Sequence, residues 1–242
     1  MRIPAVLLSL SAAAALYAGA ANASLITNGS FELTGNGSNK QLSSSPSDRA
    51  DRTTLTGWTS SNGNDGGYNF VLDSTIMHTN ASAIAFRSEN NGYSMPAGAG
   101  NVFASDAQYY PGVLSQTING LTVGLTYTLS FDYAVGQQAG FDGINKNNQW
   151  QVKLGGDTRS TEALDLAAGG FSGWKSATME FTATSASEVL SFLALGGSRG
   201  GPPFMLLDNV SLDANQVPEP ATWALFLGGA GLLAARRRRP QA

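Results

Sequence analysis

Residues 127–133 read Tyr-Thr-Leu-Ser-Phe-Asp-Tyr, a strict two-residue alternation of large apolar and polar side chains. In an extended strand successive side chains point to opposite faces, so Tyr127, Leu129, Phe131 and Tyr133 share one face and the polar residues share the other. A helix would scatter the same four residues around its axis. The stretch therefore predicts a strand with one face on a core, and Tyr127 is read as a core residue. Shorter runs of the same kind occur at 68–72, 83–87, 112–118, 149–154, 174–184, 189–195 and 204–212. Asn28-Gly29 and Asn119-Gly120 mark tight turns, the first of them inside a short strand predicted over 25–33. Residues 34–53 are polar and predict a long loop, and Asn-Gly-Asn-Asp-Gly-Gly at 62–67 predicts a turn cluster. Eight or so strands separated by turns predict an all-β chain folded as a jelly-roll β-sandwich.

Composition agrees with that class. The chain carries 29 glycines and only 13% charged residues, a balance poor in the Lys and Glu that solvent-facing helices use. It has no cysteine, which excludes thiol catalysis, thiolate metal sites and disulfide staples.

The two ends read differently from the middle. Arg2, the small apolar stretch 5–21 and Ala21-Asn22-Ala23 form a secretory signal peptide over 1–23, cut by signal peptidase after passage through the general secretion machinery. At the other end, Val217-Pro218-Glu219-Pro220 precedes an apolar run over 221–235 and four arginines, Arg236, Arg237, Arg238 and Arg239. As a helix that run would be roughly 22 Å long, short for a hydrocarbon core of about 30 Å. The arginines resist translocation, so everything before Pro218 is held outside the inner membrane. Pro218 and Pro220 keep the strip ahead of the helix extended, which is a form a protease can grip. The chain thus divides into a signal helix over 1–23, a sandwich domain over 24–216 and a short transmembrane sorting helix within 217–242.

Removing both signals changes the charge. Nine cationic side chains remain against sixteen carboxylates, a net charge near −7 where the whole chain has −3. Such a surface repels phosphate backbones and argues against nucleic acid as a partner, while it suits divalent cations or a hydrated polymer matrix.

The order Pro218-Glu219-Pro220, apolar helix, arginine cluster resembles the PEP-CTERM sorting signal, which implies recognition by the membrane enzyme exosortase. Within the domain, Asn-Gly-Ser-Phe-Glu at 28–32, Leu-Ser-Gln-Thr-Ile to Tyr-Thr-Leu-Ser-Phe over 114–131 and Leu-Asp-Asn-Val-Ser-Leu at 207–212 resemble landmarks of the galactose-binding-like jelly roll of carbohydrate-binding modules. That resemblance implies a structural calcium tying the first strand to the last, with Glu32 and Asp208 as its side-chain ligands and backbone carbonyls completing an oxygen shell.

Catalytic patterns are few. Gly196-Gly197-Ser198-Arg199-Gly200 matches the nucleophile-elbow spacing, but Gly201-Pro202-Pro203 follows where a helix should start. His78 is the single histidine, and no spacing singles out a carboxylate pair among Asp132, Asp142, Asp157 and Glu180. No enzymatic activity is expected. Aromatic side chains are the other functional resource, because sugar C–H faces stack on them. Trp58, Tyr68, Tyr109, Tyr110 and Trp150 lie in or beside predicted loops and strand ends, whereas Trp174 reads as core. Trp150 is flanked by Asn147, Asn148, Gln149 and Gln151 and is the first choice for a ligand contact, with Trp58, Tyr109 and Tyr110 next. Its parity with Val152 and Leu154 points the other way, to an inward-facing ring. The expected function is an exported, non-enzymatic protein of the envelope or the extracellular exopolysaccharide matrix. A dedicated carbohydrate-binding module is the alternative, and a glycoside hydrolase or esterase a distant one.

Overall fold

The computed structural model describes residues 24–45, 49–62, 65–86, 92–141, 143–199 and 201–215. Among them are thirteen strands and no helix: β1 (Lys40–Leu42), β2 (Arg52–Thr53), β3 (Thr59–Ser61), β4 (Asn69–Asp73), β5 (Asn101–Asp106), β6 (Val113–Asn119), β7 (Thr126–Gln137), β8 (Ile144–Leu154), β9 (Asp157–Ser160), β10 (Leu164–Leu166), β11 (Lys175–Thr182), β12 (Ser187–Arg199) and β13 (Pro203–Ala214). They form two sheets, one in the order β11-β7-β13-β5-β4-β1-β2 and the other β10-β8-β12-β6-β3, with β9 also paired to β8. The described residues form an all-β sandwich, as the alternating pattern predicts.

Tyr127, Leu129, Phe131 and Tyr133 all point into the space between the sheets and are at most 3% exposed. They meet Trp150, Val152 and Leu154 of β8 and Leu190 and Phe192 of β12 in one continuous core. A second apolar cluster covers the outer face of the larger sheet, where Phe70, Leu72, Val102, Ala104, Phe204 and Leu206 are buried under Met77, Ile84 and Phe86 of the β4–β5 connection. Trp174 packs partly buried against this outer cluster, with its indole N–H on the carbonyl of Ser94 at 2.9 Å.

Three expectations fail. Residues 25–33 form no strand: Asn28 and Phe31 take positive φ values of 56° and 60°, and the stretch meets β13 through two separate backbone bonds, from the N–H of Leu25 to the carbonyl of Leu212 and from the N–H of Val210 to the carbonyl of Gly29. The 83–87 stretch, of which 83–86 are described, forms an isolated bridge from Phe86 to Gln138 and no strand; its other backbone bonds join Phe86 to Met77 and Ala139 to Ala85. Conversely, the supposed loop over 34–53 contributes β1 and β2, which extend the edge of the larger sheet.

The direction of β13 sets the polarity of the molecule. It starts beside the ends of β5 and β7, where Phe204 faces Asp106 and Pro203 faces Gln137. It ends beside the start of β7, where the N–H of Asn215 donates to Thr126 at 2.9 Å and the Asn215 carboxamide binds Thr128 and Glu180.

Candidate functional site

At the end of the sandwich where β4 begins and β5 stops, an open cleft of about 350 Å³ is lined by Gln41, Asn62, Asp65, Gly67, Tyr68, Tyr109 and Tyr110. Its walls come from chain segments brought together by buried polar clamps. Asn69, fully buried, donates to the Ser60 hydroxyl at 2.8 Å and to the carbonyl of Gly112 at 2.9 Å, which joins β4 to β3 and to the entry of β6. The close approach needs two glycines. A Cβ at Gly67, whose φ is +78°, would come within 2.6 Å of the Gly112 backbone, and one at Gly112 within 2.7 Å of the Asn69 amide. Gln41 of β1 closes the side by donating to the carbonyl of Gly67 at 2.9 Å.

The tyrosine wall is built by a capped turn. Asp106 ends β5, and its Oδ1 accepts the N–H groups of Gln108 at 2.8 Å and Tyr109 at 3.0 Å. The following Tyr110 is driven to a φ of 50°, and its carbonyl accepts the N–H of Tyr68 at 2.7 Å. As a result Tyr109 and Tyr110 stand 59% and 65% exposed. Tyr109 makes an edge contact with Tyr68 (5.2 Å, 87°) and a second with Tyr110 (5.3 Å, 64°). The Asp106 side chain is only 1% exposed and its Oδ2 has no hydrogen-bond partner, so burial pushes its carboxyl above the ordinary range despite the two N–H donors. Burial, and then the nearby Asp106 charge, push the Tyr68 phenol up as well.

Asp65 forms the opposite rim. It is exposed, and its backbone N–H and carbonyl are both bonded to Asn62. Its Oδ1 accepts the N–H of Gly66 at 2.7 Å.

The other aromatic candidates belong to the core. Trp150 is wholly buried, packs on Phe103 and Phe192, and donates its indole N–H to the carbonyl of Leu206 at 3.1 Å. Its parity with Val152 and Leu154, and not its polar sequence neighbours, decides its position. Trp58 is 6% exposed, lies against Phe31 and Phe192, and donates to the carbonyl of Asn28 at 3.1 Å. Neither offers a ring face to a ligand. Asn62 and Asp65 belong to the turn cluster read over 62–67, but nothing local marks them or Gln41 as part of a site, although the Asp106-to-Tyr109 spacing is that of a side-chain-capped turn.

Glu32 and Asp208 approach each other across the fold. Asp208 is 2% exposed and faces Asp132 in the β13–β7 ladder. Burial, opposed by the Asn209 N–H and reinforced by the charges of Asp132 and Glu32, pushes its carboxyl up to about 7. Glu32 accepts the N–H of Asn101 at 2.8 Å, and Asp132 accepts the Asn209 amide at 3.0 Å. None of the ion pairs among the described residues involves these three carboxylates. Hard oxygen donors in a cation-poor setting fit calcium. No group of three or more acidic or histidine side chains is close enough to hold an ion alone among the described residues, so carbonyl oxygens would have to join.

The catalytic patterns gain no support from their surroundings. Residues 196–199 continue strand β12, so the Gly-x-Ser-x-Gly spacing sits on a strand and not on a strand-to-helix elbow. Asp157 is ion-paired with Arg159, Glu180 accepts from Asn215, Asp132 accepts from Ser176 and Asn209, and Asp142 lies outside the described residues. Also outside them are Pro218, Glu219, Pro220 and the four arginines.

Residues 216–239 match the PEP-CTERM protein-sorting motif, which marks an exported protein with a C-terminal membrane-anchoring signal. No curated protein matches the chain. Similar solved structures include TmCBM61 in complex with β-1,4-galactotriose, with 17% identity, 79% of this chain and 99% of that one covered, and a TM-score of 0.42. Another, described as "CBM4 structure and function", has 16% identity, coverage of 78% and 99%, and a TM-score of 0.34. A third is the CBM22-1 xylan-binding domain from Paenibacillus barcinonensis Xyn10C, with 12% identity, coverage of 78% and 97%, and a TM-score of 0.36.

Proposed function

We propose that this is a non-catalytic polysaccharide-binding protein of the cell envelope or extracellular matrix, sorted there by exosortase, and that the tyrosine cleft is its saccharide contact. One observation carries the reading: two adjacent tyrosines, mostly exposed yet rigidly presented by a capped turn, stand over an open cleft rimmed by amide and carboxylate groups. Stacking on sugar C–H faces needs exposed rings, and orientation needs convergent polar groups. The cleft lies at the β13 start, and the sorting motif joins the chain just after the β13 end, so the binding face is turned away from the point of attachment. Replacing Tyr109 and Tyr110 together with alanine should weaken retention on the producing cell's own exopolysaccharide by about tenfold or more. The melting temperature should stay unchanged. Retention equal to the parent protein would refute the assignment.

Glu32 and Asp208 hold a structural calcium in this reading. Its role is to neutralise carboxylates of the first turn and of β13, segments that backbone bonds from Leu25 to Leu212 and from Val210 to Gly29 join. Because the folded-state pKa of Asp208 lies above its unfolded value, its contribution to stability falls as pH rises from about 4 to about 7 and stays low above that. Calcium binds the ionised form, so its benefit should be largest above pH 7 and fade toward pH 5. In calcium about a hundredfold above its dissociation constant the gain is about 2.7 kcal/mol, or on the order of 5–10 °C for a domain of this size. Asp208→Asn should lose that response and melt higher than the parent protein in chelator at pH 8. Identical melting curves in calcium and chelator at pH 8 would rule the ion out.

A further inference from the structure

The ring geometry of the cleft does not suit a flat sugar alone. A stacking platform presents coplanar faces, whereas Tyr109 meets Tyr68 edge-on at 87° and Tyr110 at 64°, so the three rings that line the cleft form an aromatic corner of non-coplanar rings. Ring faces carry negative quadrupole density, and the exposed Tyr109 and Tyr110 bring two differently oriented rings to one cleft, where a compact organic cation can lie over a ring face. Two carboxylates belong to the segments that build that corner. Asp65 lies on the rim, held in its turn by Asn62, and its Oδ1 is used by Gly66. Asp106, buried, accepts the Tyr109 N–H on its Oδ1 and has its Oδ2 unpartnered. No lysine or arginine lines the cleft among the described residues. The arginine whose field reaches Asp65, Arg49, is bound to Asp51 by two hydrogen bonds of 3.0 and 2.8 Å.

We infer that the tyrosine cleft selects saccharide chains bearing a protonated amine, that is, amino-sugar polymers whose amino groups are at least partly free, over neutral, N-acetylated or uronic acid chains. The inference rests on the cleft being a saccharide site and adds to it the charge of the saccharide. The amine occupies the aromatic corner with Asp65 as its counter-ion, while the pyranose ring lies along Tyr109 or Tyr110. A uronate would place its carboxylate against Asp65 in a domain already near −7.

The test is calorimetric titration of the full-length protein in detergent with four hexasaccharides, those of glucosamine, N-acetylglucosamine, glucose and galacturonic acid, below the pKa of the sugar amine. The glucosamine chain should bind roughly tenfold more tightly than its acetylated counterpart, and the uronate should bind least. Asp65→Asn keeps an oxygen for the Gly66 N–H and so preserves the turn. It should bring the amine and acetylated chains to equal affinity, and added salt should weaken the parent protein's preference. Equal affinities in the parent protein, still abolished by the Tyr109/Tyr110 double substitution, would overturn the amine preference and leave the saccharide site standing. Failure to bind any of the four, together with undiminished exopolysaccharide retention by the double variant, would remove both.

Discussion

Trp150→Ala should cost about 4 kcal/mol of folding free energy and lower the melting temperature by on the order of 10 °C. The side chain is 0% exposed and sits between Phe103 of one sheet and Phe192 of the other, so its removal leaves a cavity where the two sheets meet. It also strips the carbonyl of Leu206 of its indole donor at 3.1 Å. Such truncations are costly because the surrounding side chains collapse only partly into the void. Tyr110→Ala is the matched control, since an exposed ring leaves no cavity and should shift the melting curve by a degree or less. Differential scanning calorimetry of both variants decides the matter. A Trp150→Ala protein that melts with the parent while losing retention on exopolysaccharide would return this ring to the binding surface.

The other large effect is on processing. Changing Pro218, Glu219 and Pro220 together to alanine should leave the unprocessed chain as the dominant species in membrane fractions. Proline lacks the N–H that a helix uses and disfavours helix in the residue before it, so the two prolines separate the domain from the apolar run. Alanine favours helix and carries neither restriction, so a strip whose sequence predicts an extended form would lose the feature a processing enzyme is expected to grip. Mass spectrometry of envelope protein reads the outcome directly through the peptide bearing Arg236 to Arg239. If that peptide were the major form in the parent protein as well, exosortase processing would not occur.

How much of this was legible in the sequence depended on how many sides of each strand are buried. β7 is buried on its inner face over most of its length, and its alternation reveals both the strand and its core residues. β5 is buried on both faces, with Phe103 in the inner core and Val102 and Ala104 under the outer cluster. Its sequence Asn-Val-Phe-Ala-Ser-Asp therefore lacks a period of two, and the strand was not foreseen. β1 and β2 have three and two residues, too few for any period to show. The cleft was half legible. Tyr109 and Tyr110 stood out beside Pro111-Gly112, but Gln41, Asn62 and Asp65 join them through sheet pairings and the Asn69 clamp, contacts that link residues 29 to 43 positions apart.

The path of β13 also fixes how the molecule bears mechanical force. Its twelve residues span roughly 36–40 Å along the strand axis. A polymer gripped at the tyrosine cleft and an attachment just beyond Asn215 would pull along that axis from opposite ends. β13 is an inner strand, paired with β7 along most of its length and with β5 near its start. Tension therefore loads its ladder bonds in shear, many at once, and does not peel them apart one by one from an edge. Resistance to pulling in that direction follows from the axial direction of the load, and ladders on both sides of β13 near its start share that load where a strand at the sheet edge would carry it on one ladder.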